Sequence, residues 1–159
     1  MNKATQIFAL VLAGLGTAGA LPALAQTEEV ERDWPKSFTC TFDAGTRGSY
    51  EEGKFTSAET SPLTFEIHDI DLEAQGALLR TGDKSEAAGT LRIVRAINAN
   101  HFLEVVPEGF LNLTTIYDDE AGNGEHPAVH SRHLGVLGQP MFSQYRGICR
   151  ADKQAAGAD

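Results

Sequence analysis

Cationic residues are scarce in this chain. Lys and Arg number 13 against 22 Asp and Glu, a formal charge of −9 at pH 7 over 159 residues. Charge of that sign repels phosphate backbones and anionic lipid, which disfavours nucleic-acid binding and electrostatic attachment to a membrane. Cysteine is nearly absent, with only Cys40 and Cys149. No CxxC pair exists, so a thioredoxin-type redox centre and a zinc ribbon are both excluded. Tryptophan occurs once, at Trp34. Beyond residue 25 no apolar run approaches the ~20 residues that a membrane-spanning helix needs. The G-x-S-x-G and S-x-x-K signatures of serine nucleophiles are also missing.

The N-terminus carries one clear signal. Lys3 precedes an apolar stretch from Ile7 to Ala20, and the segment ends Leu21-Pro22-Ala23-Leu24-Ala25. A basic start, an apolar centre and an A-x-A-like end describe a cleavable secretory signal peptide over residues 1–25. Gly14, Gly16, Thr17 and Gly19 interrupt the stretch, which is too short to span a bilayer. The residue directly after Ala25 is Gln26 and not a cysteine, so a lipid anchor is not expected. The expected product begins at Gln26, has no membrane anchor, and is a monomer in the periplasm or secreted. Loss of the leader removes Lys3 and no acidic residue, leaving the remainder still more acidic. In that oxidising setting Cys40 and Cys149 are expected to form a disulfide. Closing a loop of about 110 residues contributes roughly 4–5 kcal/mol in the chain-entropy account.

Residues 26–36 are polar and acidic and read as a lead-in. Residues 37–150 read as one domain, and residues 151–159 as a small, polar, disordered tail. Within the domain a period of two dominates. Phe38, Cys40 and Phe42 alternate with Thr39 and Thr41, and Leu63, Phe65 and Ile67 alternate with Thr64, Glu66 and His68. Further β-rich runs cover residues 91–95, 102–106, 111–117, 128–133 and 141–149. Residues 72–79 fit either a helical turn or a strand. Turn residues punctuate the runs at 45–48, 82–83, 98–100, 107–109, 122–124 and 138–140. The pattern predicts an all-β domain of about seven to nine strands, either a single antiparallel barrel of lipocalin-like type or a sandwich. A barrel is favoured, because a bridge between the first and last strands would staple the closing seam.

Several local patterns invite chemistry. Gly48-Ser-Tyr-Glu-Glu-Gly53-Lys54 imitates a phosphate loop, but Phe55 stands where Ser or Thr is required and two glutamates occupy the phosphate position. It reads as a β-turn. Asp69-Ile-Asp71-Leu-Glu73 opens like a calcium loop, but Ala74 and Arg80 replace the required Gly and Glu. The densest polar group is His126-Pro-Ala-Val-His130-Ser-Arg-His133. On a strand His126 and His130 share one face and His133 takes the other. The first two stand roughly 13 Å apart if the strand is extended, too far for a single metal ion. No metal ligand set and no cofactor is therefore assigned. Binding candidates are His130, Ser131, Arg132 and His133, with Arg132 able to hold a carboxylate in its planar fork. If they meet an anion, His130 and His133 are expected to add charge below about pH 6.5. If they instead hold zinc, binding weakens over the same range. The plainest reading is that these side chains serve strand hydrogen bonds.

Phe38-Thr-Cys40, Thr114-Thr-Ile116, Ala128-Val-His-Ser-Arg-His133 and Ser143-Gln-Tyr-Arg-Gly-Ile-Cys149 together resemble a group of small exported bacterial proteins of uncharacterised function. The resemblance covers most of residues 26–159. It implies the compartment and the disulfide, and nothing catalytic. Architecture alone is similar to lipocalin-like barrels and to periplasmic inhibitors. In the lipocalin-like pattern a Trp before the first strand plugs the floor beneath an Arg of the last, which here implies Trp34 under Arg146 or Arg150. Arg32 stands where that pattern has Gly.

The composite expectation is a non-enzymatic periplasmic barrel that binds either a protein, the acidic charge suiting a cationic partner and an inhibitor-like mode, or a small apolar ligand. Two alternatives remain: a metal-dependent activity at His126, His130 and His133, and a structural envelope protein without a ligand.

Overall fold

Alternating side chains need one face covered, and here the sheet covers it by closing on itself. The computed structural model describes residues 34–82, 87–107, 109–136 and 138–152. The expected signal peptide lies outside the described residues, as do most of the lead-in and of the tail. The elements are β1 (Phe38–Glu51), β2 (Lys54–Thr60), β3 (Leu63–Asp71), β4 (Gly76–Arg80), β5 (Gly89–Arg95), β6 (Ala99–Val106), β7 (Phe110–Tyr117), β8 (Glu125–Val136) and β9 (Gln139–Ala151). No helix occurs among the described residues. Neighbouring strands pair antiparallel in the order β2-β1-β3-β4-β5-β6-β7-β8-β9, and β9 pairs back onto β1. The result is a closed barrel of eight strands with β2 as one extra, and the sandwich alternative is set aside.

The role of β2 follows from register. Phe42 pairs with Leu63 of β3, and Gly45 pairs with Thr60 of β2. The chain therefore returns along β1 in a single unshifted register, broken only around Ser61-Pro62. The hairpin turn is Glu52-Gly53, with φ of 49° and 79°. Two successive positive values match the mirror-image turns that suit strand twist, and glycine takes the second without strain. The long β1–β2 hairpin and the ends of β8 and β9 thus stand beyond the rest of the barrel as a flap.

Cys40 and Cys149 are direct cross-strand partners on β1 and β9 and are disulfide-bonded. The bridge closes the seam between first and last strands, as the sequence led us to expect. Around it lies the core, with Phe38, Phe42, Phe65, Ile67, Ile93, Phe102 and Ile116 at most 4% exposed. Just beyond the bridge, β1 bulges between Thr41 and Ala44. There a Cβ on Gly147 of β9 would sit 2.1 Å from the Thr41 carbonyl oxygen. A glycine is needed because the backbones themselves touch.

Three sequence expectations need correction. Residues 45–48, read as a turn, lie inside β1. Gly45 and Gly48 instead leave room for the rings of Tyr145 and Phe142 across the β1–β9 pair. Residues 72–79 divide, with a turn at 72–75 and strand β4 from Gly76. In that turn the Asp71 carboxylate accepts the Ala74 amide at 2.8 Å, a side-chain cap rather than a calcium loop. Finally, neither Arg146 nor Arg150 covers Trp34. The guanidinium of Arg95 on β5 lies 5.9 Å from the ring centre, while Arg150 pairs with Glu125. Arg95 points inward at the barrel's closed end, and Arg146, adjacent in sequence to inward-facing Tyr145, points outward.

Candidate ligand site at the barrel mouth

The two ends of the barrel differ in filling. At the floor, Trp34 packs against Phe38 and His126 with ring centres 5.6 and 5.4 Å apart. His126 hydrogen-bonds the Tyr117 carbonyl oxygen through Nδ1 at 2.9 Å, so that nitrogen carries the proton. The opposite end opens under the flap into a concavity of about 470 Å3.

Its wall is the inward face of β1, β2, β8 and β9. One row of direct cross-strand partners runs Asn112, Arg132, Ser143, Arg47, Ala58. The row beneath it runs Thr114, His130, Tyr145, Gly45, Thr60. Leu134 and Met141 extend the wall outward and give it apolar surface. Alternation divides the four binding candidates accordingly. His130 and Arg132 face the barrel interior, whereas Ser131 and His133 face the outer wall. His133 cannot join His126 and His130 around one metal ion, and no group of three His, Cys, Asp or Glu side chains is placed to do so among the described residues.

His130 is the floor of the mouth. It is 5% exposed and its ring lies among Phe42, Phe65 and Tyr145, 5.1–5.9 Å between centres. Its Nε2 accepts the Nε–H of Arg132 at 3.1 Å, and its Nδ1 meets the Thr114 hydroxyl at 2.9 Å. A nitrogen that accepts from guanidinium carries no proton, so the ring is the neutral Nδ1–H tautomer and donates to Thr114. Burial, then the charge of Arg132, lower its pKa from 6.5 to about 4. The expectation that His130 gains charge below about pH 6.5 is thereby overturned for this residue.

Arg132 is held from two sides. His130 takes its Nε–H, and its guanidinium carbon lies 5.9 Å from the Tyr145 ring centre. The Tyr145 hydroxyl is 3.4 Å from that of Thr60, which ties β9 to the start of the flap. Among the described residues neither Arg132 nor Arg47 makes an ion pair. Glu51 also lines the mouth, and its carboxylate accepts the Ser49 hydroxyl at 2.9 Å. Sequence reasoning selected Arg132 but missed Arg47 and Tyr145, whose part depends on the closing register of β1 with β9.

No protein-family model matches the chain, and no curated protein or solved structure is significantly similar to it.

Proposed function

We propose that this chain is a non-enzymatic, exported binding module that takes a small ligand with an apolar body into the open mouth of its barrel. The observation that carries this reading is the contrast in filling: the floor is plugged by Trp34, while the mouth keeps a concavity of about 470 Å3 on rigid strands. Ligand sites prefer such concave, preformed places, with apolar lining and a few directed polar groups. The Cys40–Cys149 bridge supports export, because disulfides persist in oxidising compartments. Titration with N-phenyl-1-naphthylamine, whose fluorescence rises in apolar surroundings, tests the reading. Saturable binding is expected, and Ala58→Trp should abolish it by filling the mouth. Absence of saturable binding, or binding that ignores Ala58→Trp, sinks it.

A second reading, a protein partner, is favoured by the opposite face of the same flap. Tyr50, Phe55 and Phe142 are 39%, 68% and 36% exposed and form a contiguous aromatic strip. Exposed aromatics of this kind suit protein interfaces, and the chain's acidity suits a cationic partner. With lysozyme as a cationic probe, binding should weaken as salt rises and be lost in Phe55→Glu. Salt-independent binding, or none, removes this reading.

A further inference from the structure

Among the described residues the two arginines on this concave wall, Arg132 and Arg47, make no ion pair, although Glu51 lines the same mouth. Arg132 and Arg47 flank Ser143 in the same cross-strand row, their backbones roughly 10 Å apart by the spacing of sheet strands. Long side chains rooted at that separation can converge on one group between them. The state of Arg132 is the more telling. Its Nε–H is already used by neutral His130, and its plane is supported near the Tyr145 ring. What remains for a ligand is the end-on pair of Nη groups. The chain Thr114–His130–Arg132 fixes that fork before any ligand arrives, which lowers the ordering cost of binding.

We propose that the mouth receives the head group of a single-chain amphiphile bearing an oxyanion, a carboxylate or a phosphate monoester. Arg132 is its end-on fork, Arg47 the second cation, and Ser143 a hydroxyl donor between them. Leu134 and Met141 meet the apolar chain. His130 is a positioning residue: it does not touch the ligand, and it works only while neutral. The selectivity comes from chemistry the wall leaves unmatched, since charge-assisted hydrogen bonds exceed neutral ones and two guanidinium groups face one anion. The inference rests on the mouth being the ligand site.

The test is calorimetric titration of the purified chain with laurate, dodecyl phosphate and dodecanol, each below its aggregation concentration. At least one anion should bind about tenfold or more tighter than dodecanol, the gain expected of a hydrogen bond to a charged group. Arg132→Gln should erase that advantage while leaving dodecanol affinity unchanged. Arg47→Gln, at an exposed position where folding is not at stake, should reduce it in part. Laurate and dodecyl phosphate separate a carboxylate from a phosphate head group. Equal affinity for all three compounds, unchanged in both variants, would overturn the anionic head group and leave the mouth as an apolar site. If none of the three binds, the mouth reading falls with it.

Discussion

The lower barrel and the flap are built from the same strands, yet they obey different constraints. On β1, Phe38, Cys40 and Phe42 are fully buried. Past the bulge, the same strand presents Arg47, Ser49 and Glu51 to an open mouth and Tyr50 to solvent. The paired strand changes in step: β3 buries Phe65, Ile67 and Ile70, whereas β2 is exposed almost throughout. A closed ring of eight strands is just wide enough for its own side chains to fill, so alternation below the bulge yields a packed interior. Where the ring gives way to a flap, alternation continues but has nothing opposite to pack against. One periodic pattern thus makes a core at one end and a receptor wall at the other.

The sharpest way to break this comparison is to remove core volume. Phe42→Ala should cost about 3–5 kcal/mol, the usual cost of a buried aromatic truncated to a cavity, measured by urea unfolding. A loss below about 1 kcal/mol would mean that the interior near the seam is not packed as the structure has it. Reduction of the Cys40–Cys149 bridge comes next. A sequence separation of 109 predicts a loss of about 3–4 kcal/mol, allowing for less than the full loop-entropy value. The shift in urea midpoint with and without dithiothreitol reads it directly.

His130 sits at the border between the two regions and should report on both. Its folded-state pKa of about 4 is below the unfolded value of 6.5, so the unfolded chain binds the proton more tightly. Stability should therefore be whole above about pH 6.5 and fall as the pH drops towards 4, by up to about 3 kcal/mol. That component of the slope should vanish in His130→Gln. An identical pH profile in the two proteins would place the ring in a wetter setting than its aromatic neighbours imply.

Two glycines sharpen the contrast further. Gly147→Ala drives a Cβ into the β1 backbone and should destabilise by about 1–3 kcal/mol. At Gly48→Ala the nearest atoms to the new Cβ belong to the ring of exposed Phe142, which can swing away, and the change should cost less than about 1 kcal/mol. Thermal melts of the pair would expose any reversal of that order. The smallest effect belongs to Phe55→Ala on the outer flap, expected within about 0.5 kcal/mol of the parent by chemical denaturation. A larger loss would show that the flap contributes to the barrel's stability rather than resting upon it.

Much of the fold was legible because strand chemistry is local. Alternation along 38–42 and 63–67 marks the core faces, whereas strand β2, on the far side of the Glu52-Gly53 turn, carries no such alternation and went unforeseen. Cys40 and Cys149 pointed to the seam because they fall in the first and last periodic runs. The same locality misled at Gly45 and Gly48, where glycine serves close approach to Phe142 and Tyr145 instead of a turn. Parity correctly placed His133 opposite His126 and His130. It did not say which of those faces would be the interior.

The period-two runs that became most of the strands, though not β2, and the cysteine pair that closes the ring could be read from the sequence, since each depends on spacing along one segment or on a single pair. The tertiary structure alone decided that Arg95 covers Trp34, that neutral His130 steadies Arg132, and that Arg47 shares its wall. The physical reason is closure. Bringing β1 against β9, with a register shift at the Thr41–Ala44 bulge, aligns residues far apart in the chain, and no local pattern encodes which of them will stand side by side.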